Sequence, residues 1–168
     1  MVRAIDQRRF DQDIADGTAI KILALGSPHG DDRVAWHAAE RLQTDRRLAH
    51  AVHRVASPWD LIDYLQFGCK VIILDACRSG AAVGSLIRLS EHDLEKLESR
   101  GGTTHGGSIA ESLRLAGALG RPYESVIVLV VEIDEPSSVS EMSEAGRQAA
   151  KKLETEARRT LSRWGVLD

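Results

Sequence analysis

The sequence predicts an α/β fold, a three-layer αβα sandwich built on a mainly parallel, mixed central sheet of about five strands. Three observations lead there. Apolar runs of strand length recur at residues 20–25, where Lys21 is the one polar residue, 71–74 and 126–131, as strands buried on both faces do. Segments with apolar residues at helical spacing alternate with these runs. Turn and cap residues stand at the junctions, among them Gly26, Pro28, Ser57-Pro58, Ser108 and Pro122.

Residues 1–18 carry Arg3, Asp6, Arg8, Arg9, Asp11, Asp13 and Asp16 with little apolar periodicity, so they read as a surface extension or a loose first helix. Ile20 to Leu25 is the first strand, ended by Gly26 and Pro28. From Asp32 to Leu42, Val34, Ala35, Ala38 and Leu42 share one helical face. Ala51 to Ala56 alternates as a second strand. Ser57-Pro58-Trp59-Asp60 then opens a short helix ending near Gly68, with a hydroxyl N-cap, proline in the first turn and an acid at the third position. Val71 to Leu74 is a buried strand, and Gly84 to Leu89 is strand-like. Ser90 to Asp93 can cap a short helix through Leu97. After the Gly-rich stretch at residues 101–107, Ser108 and Glu111 have capping-box spacing for a helix that buries Ile109, Leu113 and Ala116. Val126 to Val131 suits a central strand, and residues 132–139 read as a loop. From Ser143, Ala145, Ala149, Leu153, Ala157 and Leu161 recur every four residues, the stripe of a long amphipathic helix.

A chain of 168 residues that is 43% hydrophobic suffices for one domain with a full core, taken as residues 1–168, with 1–18 as an N-terminal extension. A net charge of -3 supplies no electrostatic footprint for nucleic acid or an anionic membrane. No apolar run reaches the roughly 18 residues of a membrane span, and Met1 to Asp16 is charged without an apolar signal-peptide core. A cytoplasmic location is the expectation. Cys69 and Cys77 flank one strand, about 25 Å apart if extended, so no disulfide is expected between them.

Ligands of an open parallel sheet collect beyond the carboxyl ends of its strands. Asp32 follows the first strand and Asp75 the third apolar segment, and His105 precedes a helix that can reach the same edge. Two carboxylates and an imidazole suit nickel, zinc, cobalt, iron or manganese, and residue types do not choose among these. Each residue also has an ordinary structural role open to it. Asp31 or Asp32 can cap the first helix, with Asp31 the better cap. Asp75 can bond loop amides, and His105 can be simply exposed, with His29, His37, His50, His53 and His92 as rivals. Cys77 reads as a buried structural thiol before a ligand or nucleophile. Gly26-Ser27-Pro28-His29-Gly30 is neither a dinucleotide fingerprint nor a phosphate-binding loop, and no Gly-x-Ser-x-Gly elbow occurs.

Together these stretches resemble the hydrogenase maturation proteases, nickel-dependent endopeptidases that trim the C-terminal extension of nickel-iron hydrogenase large-subunit precursors. The resemblance runs over residues 20–160. It rests on Gly26-Ser27-Pro28-His29-Gly30-Asp31-Asp32 with the following helix, on Ile73-Leu74-Asp75-Ala76 with Gly84 downstream, and on Thr103-Thr104-His105 before the helix through Ala116. Ser27 stands where the family usually has Asn, and Arg33 and Ala35 where it commonly has glycines. Arg54 to Asp60 replaces its Asp-Gly-Gly-Thr turn.

The resemblance implies that Asp32, Asp75 and His105 are at once the catalytic residues and the metal ligands. It also implies that nickel arrives with the substrate, so that the isolated protein can be empty or hold another divalent ion, and that the partner is a hydrogenase large-subunit precursor. Gly106, Gly107 and the loops around Ser57 and Pro136 would shape the peptide groove. Two other functions fit the residues: a nickel-sensing partner in hydrogenase maturation without proteolysis, and a metal-independent small α/β hydrolase acting on a nucleoside or peptide.

Overall fold

Ile20–Leu25 forms β1, Val52–Val55 β2, Lys70–Cys77 β3, Leu86–Leu89 β4 and Ser125–Glu132 β5. The computed structural model describes residues 20–65, 68–90, 93–94, 108–121, 125–134 and 141–168. The strands make one sheet in the order β2-β1-β3-β5-β4. β1 pairs in parallel with β2 and β3, β3 in parallel with β5, and β4 runs antiparallel to β5 at the edge. The sheet is therefore mixed and mainly parallel. Among the described residues three α-helices cover it: α1, Val34–Gln43; α2, Ile109–Ala118; and α3, Glu144–Arg163.

Alternation along the strands divides the core into two layers. Ile22, Ala24, Ile72, Leu74, Leu129 and Val131 point to the side holding α1 and α3, where Ala38, Leu42, Leu153 and Leu161 are buried. Leu23, Leu25, Val71, Ile73, Val128 and Val130 point the other way, onto Leu61 and Leu65 and onto Ile109, Leu113 and Ala116 of α2. Two buried faces explain why β1, β3 and β5 read as continuous apolar runs.

The caps behave as their residue types require. Ser57 and Asp60 make a reciprocal capping box, but the segment it opens, Pro58–Asp63, is a 3-10 turn and not an α-helix. Ser108 Oγ accepts the Glu111 N–H at 2.9 Å. At the other end of α2, Gly120 takes φ +70 while the Arg121 N–H returns to the Ala116 carbonyl. Ser143 caps α3, accepting from the Gly146 N–H.

Several boundaries differ from the sequence expectation. The first helix is preceded by a separate 3-10 turn, Gly30–Arg33. β3 runs on through Asp75 to Cys77, because Asp75, Ala76 and Cys77 keep their ladder partners Val130, Val131 and Glu132. Glu132 belongs to β5 and not to a loop. Gly84 lies just ahead of β4, and on α3 Ala145 is exposed while Gly146 takes the buried position. Cys69 and Cys77 are buried and are not joined in a disulfide. The N-terminal extension, the Gly-rich stretch with His105, Gly106 and Gly107, the segment after Leu94 through Leu97, and Pro136 lie outside the described residues. Among the described residues no helix is long and apolar enough to cross a membrane.

Candidate active site

The loop from β1 to α1 is bent tightly by two glycines. Gly26 approaches the Asp32 backbone so closely that a β-carbon there would lie 2.6 Å from the Asp32 carbonyl oxygen. The Ser27 N–H donates to that same carbonyl at 3.2 Å. Gly30 adopts φ +50, the left-handed region that costs glycine least. The turn that follows sets Asp31 and Asp32 on different partners. Asp31 accepts the Ser143 N–H at 2.8 Å and the Ser143 hydroxyl at 2.7 Å, tying this loop to the start of α3. It does not cap α1, whose N-cap Arg33 makes no side-chain cap bond. Asp32 is left facing the sheet edge, where its Oδ1 lies 3.4 Å from Nη2 of Arg78.

Asp75 comes from inside β3, on the strand face shared with Ile73 and Cys77, the side covered by α2. Its side chain is only 2% exposed. Burial pushes the Asp75 carboxyl well above the usual carboxylate range; the Ala76 N–H, donating at 2.8 Å to Oδ1, opposes this, and the negative charge of Asp32 adds to it. Asp32 and Asp75 are thus electrostatically coupled at the carboxyl edge. A cation would relieve both the buried charge and the repulsion.

His105 lies outside the described residues, although the helix it precedes packs on the Asp75 face. Among the described residues no group of three or more His, Cys, Asp or Glu is gathered to hold an ion. The two carboxylates fit one: oxygen donors, one of them buried with its charged form disfavoured, are the chemistry a divalent cation selects. Of the rival histidines, His37 pairs with Glu40 at 3.5 Å on the outer face of α1. His53 stacks on Tyr64 and is pushed down to about 4, first by burial and then by the charges of Lys21 and His50.

Two features of the edge escaped sequence reasoning. Glu132, 3% exposed, collects the Ser79 N–H at 2.8 Å, the Ser79 hydroxyl at 2.7 Å, the Gly80 N–H at 2.9 Å and the Cys77 thiol at 3.3 Å. Burial, the Glu132 carboxylate and Asp75 push the Cys77 thiol up to about 12, which makes it inert as a nucleophile. Arg78 bridges Asp32 and the Asp134 carbonyl, to which its Nε donates at 3.3 Å. The acid closing the β5 apolar run and the Ser-Gly pair after β3 were the available signals for Glu132; nothing local pointed from Arg78 to Asp32.

Comparison with known proteins bears on the family and the fold. The family model described as hydrogenase maturation protease matches residues 38–160, a span that contains Asp75 and His105 and begins after Asp32. The fold is similar to that of the hydrogenase maturating endopeptidase HybD from Escherichia coli, at 16% identity and a TM-score of 0.69, over 88% of this chain and 94% of that one. It is also similar to the nickel-iron hydrogenase maturation protease HybD from Thermococcus kodakarensis, at 21% identity and a TM-score of 0.65, over 84% and 98% of the two chains. The maturation protease HycI from Thermococcus kodakarensis KOD1 aligns at 18% identity and a TM-score of 0.62, over 92% and 99%. No curated protein matches the sequence. With the family model covering most of its length, the chain belongs to the hydrogenase maturation protease family.

Proposed function

We propose that this protein is an endopeptidase that removes the C-terminal extension of a nickel-loaded hydrogenase large-subunit precursor, with Asp32, Asp75 and His105 engaging the nickel that the precursor carries. The observation supporting this most is the buried Asp75 carboxyl, whose ionisation is opposed by burial and by the charge of Asp32. Such a group holds its proton more tightly than an exposed aspartate and gives it up when a cation arrives. Cleavage would then wait on metal loading, because without the ion the pair of acids is mismatched to a neutral peptide.

The chemistry nickel supplies is Lewis acidity, towards a scissile carbonyl or a water. The chain's own contribution is placement. β3 fixes Asp75 through its ladder to β5, and the Gly26 to Arg33 turn carries Asp32 in the loop after the neighbouring strand β1. His105, with Gly106, Gly107 and the loops around Ser57 and Pro136, would complete the groove for an extended peptide. Cys77 takes no part as a nucleophile, since its thiol stays protonated and bonded to Glu132.

The test is incubation of purified protein with precursor carrying nickel and with the same precursor lacking it. A shortened product is expected only with nickel. Complex formation without a shortened product would contradict the protease reading and favour a non-proteolytic nickel-sensing partner.

A further inference from the structure

Arg78 is held from several directions, which is unusual for a half-exposed arginine. Its backbone enters a loop anchored at once by Glu132, which binds the Ser79 and Gly80 N–H groups. Its Nε donates to the Asp134 carbonyl at 3.3 Å, and its Nη2 lies 3.4 Å from Asp32 Oδ1. A planar guanidinium fixed at two points is pre-organised and always charged. It therefore sets a positive charge permanently against one of the two carboxylates proposed to receive a divalent ion. Asp75, by contrast, feels Asp32 as a negative charge that opposes its own ionisation.

We propose that Arg78 is a positioning residue that acts as a built-in counter-cation for Asp32 and weakens its capture of free divalent ions. This deepens the proposed function and rests on its assignment of Asp32. The guanidinium occupies one side of the carboxylate, so an ion bound there must share Asp32 with it or push it away. With side chains 30% and 24% exposed, the interaction is screened by water. A monovalent and a divalent charge about 6 Å apart in a water-like dielectric still repel enough to change affinity about tenfold.

The experiment titrates the full chain with nickel ion alone, by calorimetry at low salt, in the wild type, Arg78→Gln, Arg78→Lys and the double variant Arg78→Gln/Asp32→Asn. Arg78→Gln is expected to bind nickel about tenfold more tightly, with the gain shrinking at high salt. Arg78→Lys keeps a positive charge but not the two-point hold on Asp134 and Asp32, so its affinity should fall between wild type and Arg78→Gln, whereas mere loosening of the loop would give it the Arg78→Gln affinity. In the double variant the gain should vanish. Equal affinity of wild type and Arg78→Gln, absence of binding by both, or a gain that survives loss of Asp32 would each overturn the proposal. Precursor processing is read separately: nickel-dependent processing alongside equal affinities removes the role of Arg78 and leaves the protease reading standing.

Discussion

Asp75 and Glu132 sit on neighbouring parallel strands at the same edge of the sheet, two register positions apart and almost equally buried, at 2% and 3% exposure. Their acidities move in opposite directions. Burial raises both, but in Glu132 it is outweighed by the N–H and hydroxyl of Ser79, the N–H of Gly80 and the Cys77 thiol, so this carboxyl is held below the usual range. In Asp75 the Ala76 N–H does not offset burial, and Asp32 adds repulsion. Solvent exposure alone therefore does not set a carboxyl's acidity; the donors and charges around it contribute as well. Glu132 is an anchor for the loop that presents Arg78. Asp75 is a carboxyl whose charged form burial and Asp32 disfavour, and groups with shifted acidity gather at functional sites.

Replacement separates the two roles. Glu132→Ala strips the acceptor from the buried Cys77 thiol and from the N–H groups and hydroxyl of the Ser79-Gly80 turn and is expected to cost about 2 kcal/mol in urea unfolding. Asp75→Asn, which removes an uncomfortable charge and keeps the shape, should not destabilise comparably. Similar losses in the two variants would break the comparison.

A smaller effect follows from the sign of the Asp75 shift. Its folded value lies above the ordinary one near 3.8, so over the pH range between them the folded state binds more protons than the unfolded. Stability contributed at this position is then present at low pH and is lost as pH rises through the folded value. The melting temperature of Asp75→Asn relative to wild type should accordingly increase as pH rises above about 4. A difference that stays constant with pH would show that the carboxyl is not raised.

The comparison also shows where reading from sequence reaches and where it stops. Apolar runs announced β1, β3 and β5, because strands covered on both faces need no polar alternation. Local chemistry announced the caps at Ser57 and Ser108, because an N-cap bond spans two or three residues. The ends of strands were less legible. Asp75 and Glu132 each terminate an apolar run in sequence, yet both remain in the backbone ladder, which is indifferent to side-chain polarity. Long-range pairings were not legible at all. Asp31 finds Ser143 across 112 positions, and Arg78 finds Asp32 across 46. Asp31 offered itself as a helix cap by residue type, and only the approach of α3 gives it a different partner. The direction of β4 was equally hidden, since an antiparallel edge strand needs no distinctive composition.

The claim that Asp75 is a working acid is tested most directly by the processing rate of nickel-loaded precursor with Asp75→Asn, in protein whose fold and melting behaviour have been verified. Loss of at least about a hundredfold relative to wild type, from a variant no less stable, is the predicted result. Processing within about threefold of wild type would contradict the account, because the buried carboxyl would then be as dispensable to the reaction as a structural group.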